Sequence, residues 1–332
     1  MKTSIKNSVT VLIILFLLLF SQTTVMSWGF YAHRMINRMA VFTLPPDMVG
    51  FFKKHIEYLT ENSVAPDKRA HVVEGEAPRH YIDVEYFEDD ISKIPRFWNQ
   101  AVEKYSEDTL YTHGLLPYHI FNMYLRLRNA FQAQSIDRIL YNAAHIGHYI
   151  GDACTPLHTT KYYDGRTPEE RGIHAFMETR LPILYAESYD FFVGRAEYIE
   201  NPQLYAWQLV EESNAAVDTI YMVFDEMKKR FSEDQIYTYE MSGQTLARQF
   251  SEEYSRLFHE KLNGMVERQM RKSVFATGSF WFTAWVDAGQ PDLRKLAGID
   301  ISEQQIMEDK KIESSWRNRR PLGRPNPDES IQ

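Results

Sequence analysis

The sequence predicts an all-α fold. Apolar residues recur at three- and four-residue spacing along most of the chain, strand-like alternation is rare, and glycine is sparse, at 15 in 332 residues. Met35, Ile36, Met39 and Ala40 mark the first helix, and Pro45-Pro46-Asp47 opens a second that carries Phe51, Phe52, Ile56 and Leu59. A third runs from about Pro95 to Tyr105, and the next from about Leu116 to Phe131, with Ile120, Met123, Tyr124, Leu127 and Ala130 on one stripe. Ile136 to Ala153 forms another, stopped by Thr155-Pro156. Leu204, Trp207, Val210, Val217, Ile220, Phe224 and Met227 mark one long later helix, and Phe250, Tyr254, Leu257, Leu262 and Val266 mark one more. There is no internal repeat. Beyond about Gly298 the chain turns polar, with Glu308-Asp309-Lys310-Lys311 and Arg317-Asn318-Arg319-Arg320-Pro321, and is expected to pack poorly.

The N-terminus carries Lys2 and Lys6, then a nearly continuous apolar run from Val9 to Phe20, then a more polar stretch to Ser27. That order is a secretory signal peptide with cleavage placed near Ser27, which makes the mature chain exported, to periplasm or medium. The run is about 12 residues, where a membrane span needs roughly 20, so no stable span is expected after cleavage. The whole chain has a net charge of −8, and the leader holds two lysines and no acid, so the remainder is more acidic still. Such a balance argues against a broad, non-specific grip on nucleic acid but leaves room for a small cleft that takes a nucleotide. Cys154 is the only cysteine, which excludes an intrachain disulfide and reads as a small buried apolar residue.

The chemistry concentrates between His148 and Glu178. The stretch reads His148-x3-Asp152-x5-His158, then His174-x3-Glu178. Residues four apart on a helix share a face, so His148 with Asp152, and His174 with Glu178, can each grip a cation. Mixed imidazole and carboxylate donors suit Zn²⁺ and its neighbours. A lone H-x3-D is usually a buried polar pair. Here His158 follows just past the helix-ending proline, and His174 with Glu178 repeats the device. Upstream, Asp67 and His80 are weak signals alone: the first could cap a turn, the second could pair with Asp83. Trp28-Gly29-x3-His33 would begin the mature chain, where a free α-amine and the carbonyl oxygen of one residue can chelate a metal. His145, His55, His71, His113, His119 and His259 read as packing or supporting histidines.

Taken together, Trp28-Gly-x3-His33, Asp67, His80-Tyr-Ile-Asp83, His148-x2-Gly-Asp152-x3-Pro-Leu-His158 and His174-x3-Glu178 resemble the zinc-dependent phospholipase C and S1/P1 nuclease superfamily. The motifs span Trp28 to about Leu181, and helical character continues to about Gly298. The resemblance implies a single helical catalytic domain over residues 28–298, a polar tail over 299–332, and three zinc ions in one cleft. One zinc would sit on Asp67, His80 and His148. A second would take the Trp28 amine and carbonyl with His33, Asp152 bridging these two. A third would sit on His158, His174 and Glu178. It implies hydrolysis of phosphate esters by zinc-activated water, with Asp152 as the bridge and Asp67 also placed to orient or deprotonate the water.

The substrate branch is expected to be phospholipase C-like. Glu178 stands where the nucleases of the superfamily carry Asp, the segment 159–172 lacks their Asp-x-Gly-Gly-Asn element, and there are no disulfides. Lys68 and Tyr31 stand where a choline pocket would have Tyr and an acid, so choline selectivity is not implied. Lys68 or Arg69 could contact a phosphate oxygen, or be ordinary surface charge. Tyr81 could stack a nucleobase, as in the nucleases, or be core packing. The alternatives are a nuclease or nucleotidase acting on single-stranded nucleic acid, and a metal-binding protein without turnover.

Overall fold

Proline, glycine and small residues divide the periodic stretches into shorter helices than the pattern alone suggests. The computed structural model describes residues 29–242 and 245–316; the leader, Trp28 and the basic stretch Arg317–Pro321 lie outside the described residues. Helices α1 (Phe30–Ala40), α2 (Pro46–Lys54), α3 (Ile56–Glu61) and α4 (Ala65–Ala70) come first. After a run of 3-10 turns come α5 (Trp98–Tyr105), α6 (Glu107–His113), α7 (Leu116–Gln132) and α8 (Ile136–Ala153). Then α9 (Ile173–Ala175) passes through a π-helical turn at Phe176–Arg180 into α10 (Leu181–Tyr185). The remainder comprises α11 (Pro202–Asn214), α12 (Val217–Arg230), α13 (Glu233–Ile236), α14 (Glu252–Lys261), α15 (Met265–Asp287) and α16 (Glu303–Trp316).

The all-α class holds, with one exception among the described residues. Strands β1 (Tyr237–Ser242) and β2 (Thr245–Phe250) form an antiparallel hairpin, with Tyr237 opposite Phe250 and Tyr239 opposite Arg248. Phe250, expected on a helix, therefore ends a strand, and its ring lies 4.1 Å from that of Phe176. Three of the expected helices are also broken; the one carrying Phe51, Phe52, Ile56 and Leu59 divides at His55 into α2 and α3. The long one turns at Ala215–Ala216, where Asn214 Nδ2 donates to the Thr159 carbonyl at 3.0 Å. The last one breaks at Asn263 and Gly264, both with positive φ (48° and 73°), a conformation glycine adopts without strain.

Apolar side chains collect in two buried clusters. The larger packs α2, α7, α8 and α11 with the C-terminal half of α15, around Phe51, Phe52, Phe131, Trp207 and Trp281. The smaller packs the π-helical turn, α12, α14 and the start of α15, around Phe176, Phe224, Tyr254 and Phe258. Helix α1 places Ala32 in the smaller cluster and Ala40 in the larger. Helix α15 does the same with Met270 and Phe280. Helix α8 is the central rod: every residue from Asn142 to Ala153 is buried. Beyond Gly298 the chain forms α16, which has no fully buried residue yet rests on α4, with Lys68 Nζ 2.5 Å from Glu313 Oε2 and the Phe30 and Trp316 rings 5.8 Å apart. No helix among the described residues is long and apolar enough to cross a membrane.

Candidate metal centre

Helix α8 supplies His148 and Asp152 on one face, as their four-residue spacing requires. Gly147 and Gly151 occupy the adjoining stripe and let α1 approach. A Cβ at Gly147 would fall 1.9 Å from Asn37 Oδ1, and one at Gly151 2.9 Å from His33 Nδ1. Asn37 fixes the crossing by donating to the carbonyls of Leu59 (3.0 Å) and Ala144 (2.8 Å). The close approach stacks His33 on His148, with ring centroids 4.0 Å apart.

Asp67 comes from the first turn of α4, and His80 from the end of a short 3-10 turn after Pro78. Pro156 ends the α8 run and starts the turn that holds His158. There His158 Nδ1 donates to the His80 carbonyl at 2.5 Å, and Ile82 N donates back to the His158 carbonyl at 2.9 Å. His158 Nε2 is thereby left facing the cluster. Glu178 lies within the π-helical turn. Pro182 has no N–H to return to the Glu178 carbonyl, which favours a widened turn at this point. His174 Nε2 still meets Glu178 Oε2 at 2.8 Å. Arg180 pins the turn to the hairpin by a two-point contact with Glu240, at 2.6 and 2.7 Å.

Three donor groups result, in each of which the ligand atoms lie within 4.8 Å of one another: His33, His148 and Asp152; Asp67, His80 and His148; His158, His174 and Glu178. His148 belongs to two groups. The two oxygens of Asp152 face different neighbours: Oδ2 lies 3.0 Å from His80 Nδ1 and 3.3 Å from His148 Nε2, while Oδ1 lies 3.4 Å from His33 Nε2 and 4.0 Å from His158 Nε2. Glu178 joins the groups as well, its Oε1 being 3.3 Å from His33 Nε2, a link the sequence pattern did not suggest. His33, His148 and Asp152 form the floor, at most 3 % exposed as side chains, whereas Asp67 (31 %) and His174 (25 %) reach solvent at the rim.

The electrostatics fit cation binding. Burial opposes protonation of His33, but Glu178, Asp152 and Asp67 outweigh it and raise its pKa to about 9. Burial likewise opposes protonation of His158, and Asp152 with Glu178 raises it to about 10. Desolvation within the cluster raises Asp67 and Glu178, but the surrounding imidazoles hold both below the usual carboxylate range. His80 Nδ1 and His148 Nε2 face each other at 3.0 Å, with Asp152 Oδ2 and Asp67 Oδ1 against both. One shared proton cannot serve so many converging lone pairs, whereas a divalent cation can. Asp152 Oδ1 is buried and makes no hydrogen bond among the described residues.

The other candidate residues stand apart. Tyr81 is 4 % exposed and its hydroxyl donates to the Thr112 carbonyl at 3.2 Å, so its ring is buried and not presented to stack a base. Lys68 is paired with Glu313. Arg69 points away from the cleft, donating to Glu76 Oε1 (3.1 Å) and the Tyr149 hydroxyl (3.2 Å). Cys154 is buried beside the cluster, on the wall of an apolar cavity shared with Met177, Met265 and Met270, and burial pushes its thiol up to about 11. His145 packs between Tyr141 and Arg69. Sequence reasoning missed Glu76, fully buried behind His80, because an acid in an aperiodic Gly/Pro-containing stretch carries no burial signal. No model of a known protein family matches this chain, and no curated protein does.

Proposed function

We propose that this chain is an exported, zinc-dependent phosphoric diester hydrolase of phospholipase C-like type. The observation that carries the reading is the convergence of eight residues, from five separate stretches of sequence, into three donor groups, two of which share His148. The donor set of imidazoles and carboxylates suits zinc, with Asp67, His80 and His148 holding one ion, His33 and Asp152 with the chain terminus at Trp28 a second, and His158, His174 and Glu178 a third. Gly29, which follows Trp28 in sequence, lies at the cluster: a Cβ there would fall 3.2 Å from Glu178 Oε1. Zinc, when bound, supplies Lewis acidity and lowers the pKa of coordinated water to about 7.

The chain's own residues do the rest. Asp152 divides its oxygens between two donor groups and holds them in register. Asp67, the carboxylate at the rim, orients the attacking water and takes its proton. Water is the nucleophile, the phosphorus–oxygen ester bond breaks, and the leaving oxygen departs toward the His158–His174–Glu178 side. The apolar cavity beside His33 and Glu178 favours a substrate with an apolar portion over a polynucleotide, and the burial of Tyr81 removes one support for the nuclease alternative. Purified mature protein should begin at Trp28 and hold about three zinc ions, on the logic of a site built from closely spaced metals. It should hydrolyse phospholipid head-group esters. Cleavage of single-stranded nucleic acid with no lipid turnover would move the assignment to the nuclease branch. Bound zinc with no hydrolysis of any phosphodiester would leave only a metal-binding protein.

A further inference from the structure

Behind the Asp67–His80–His148 group lies a second polar cluster, built around a fully buried carboxylate, that the proposed chemistry does not use. Its centre is Glu76, which is 0 % exposed. Glu76 Oε1 accepts from Arg69 Nη2 at 3.1 Å and from the Tyr149 hydroxyl, and Oε2 accepts from Arg79 Nη1 at 2.6 Å. The same Oε1 lies 3.9 Å from His80 Nε2. His80 thus stands between two acidic environments. Its Nδ1 faces Asp152, Asp67 and His148, while its Nε2 points at Glu76 and has no hydrogen-bond partner among the described residues.

Each member of that donor group has a near neighbour in sequence that reaches this second cluster. Arg69 is two residues from Asp67, Glu76 is four before His80, and Tyr149 follows His148 directly. The Tyr149 ring also packs edge-on against His80, at 5.3 Å between centroids.

We infer that Glu76 is the positioning residue of the metal centre: it receives the Nε2 proton of His80 so that Nδ1 offers its lone pair to the metal, and through Arg69 and Tyr149 it locks the elements that carry Asp67 and His148. An imidazole that binds a metal through one nitrogen must carry its proton on the other, and a carboxylate acceptor there fixes both tautomer and ring angle. Glu76 is the carboxylate nearest that nitrogen. Arg69 and the Tyr149 hydroxyl both donate to Oε1, the oxygen that faces His80, so it cannot swing away. The gap of 3.9 Å closes with a small tilt of the His80 ring as Nδ1 is drawn toward a cation. Arg69, next to a cleft proposed to bind phosphate, is thereby assigned to supporting the ligands and not to binding substrate.

The inference rests on the reading of the cluster as a metal centre, and the test separates the two. Full-length mature protein, stripped with a chelator, is titrated with Zn²⁺ against a chromophoric competitor, and loaded with Co²⁺ for its visible spectrum. Glu76→Gln should weaken the binding of one metal equivalent by about 10- to 100-fold and alter the cobalt spectrum. Glu76→Asp, which keeps the charge but withdraws it by one methylene, should move both readouts in the same direction and serves if the glutamine variant does not fold. Arg79→Gln removes an ion pair from the same polar cluster without touching the Glu76–His80 contact, so it should lower the thermal stability of the metal-free protein but leave zinc affinity and the cobalt spectrum unchanged. Unaltered affinity and spectrum in both Glu76 variants would overturn the inference while leaving the metal centre standing, as would an equal loss in Arg79→Gln. If the unsubstituted protein binds neither Zn²⁺ nor Co²⁺, the metal-centre reading fails and the inference falls with it.

Discussion

At the scale of single residues, the eight described donors differ in what they should cost when changed. Glu178 touches His33, His158 and His174, so Glu178→Gln should remove one metal equivalent and weaken a second, which metal analysis of the purified variant would reveal. Asp67→Asn should keep most of the metal, because His80 and His148 remain, yet lower the proposed phosphodiester hydrolysis by about 10²–10⁴-fold through loss of the group proposed to take the proton. The metal-free protein should also report the cluster through pH. His33 and His158 are raised to about 9 and about 10, so their stabilisation is complete below the ordinary imidazole value near 6.5 and is lost as pH climbs through 9–10. Asp67 and Glu178 are depressed, so theirs is present above about pH 4 and lost in acid. Thermal unfolding of chelator-treated protein should therefore show a Tm that falls from pH 6.5 to pH 10. Zinc should reverse that trend, since metal must displace the same protons. A Tm flat across this window would contradict the mutual charge balance described for the cluster.

Among the secondary-structure elements, α8 and its crossing with α1 decide whether the site exists. The ligand spacing on α8 was legible in the sequence because a helix has one period, and the expected bounds Ile136–Ala153 match the observed ones. The glycines at 147 and 151 carry the same four-residue spacing and were the available signal for a close helix crossing, though nothing local says which helix approaches. Gly147→Ala would force a methyl into Asn37, a residue that holds two carbonyls, and should destabilise by about 1–3 kcal/mol, measured by denaturant unfolding. Gly151→Ala pushes on His33 and should reduce metal affinity more than stability. Other elements were not legible. The apolar stripe from Leu204 to Met227 continues across Ala215–Ala216, yet the chain turns there from the larger apolar cluster to the smaller one, and periodicity does not record a change of direction. The hairpin was missed although Tyr237, Tyr239 and Met241 alternate with polar residues. Its role, bracing the Glu178 turn through Arg180 and Glu240, is a long-range contact with no local mark.

For the molecule as a whole, the donor groups sit where the two apolar clusters meet, spanned by α1 and α15. Helix α16, within a segment that reads from sequence as a polar tail, adds a further strut. It pairs Glu313 with Lys68 and Asp309 with the Tyr58 hydroxyl (2.9 Å). Deleting residues from Glu303 onward should lower Tm by about 2–4 °C, the equivalent of roughly 1 kcal/mol, without changing metal content. A loss of bound metal on that deletion would mean that α16 holds α4, and with it Asp67, in place. By itself the sequence determined the helical class, because periodicity is a local property of the chain. It also singled out His148, Asp152, His174 and Glu178 as candidate ligands, because ligand type and i,i+4 spacing are local too. That Asp67 and His80 join His148 was implied only by the resemblance, not by any local pattern, and the tertiary structure brings the three together; it alone decided that Glu178 reaches His33 as well as its helix neighbours, and that Tyr81, Lys68 and Arg69 are engaged away from the cleft. Those outcomes depend on which faces meet when distant elements bury their apolar stripes, and no window of sequence contains both faces.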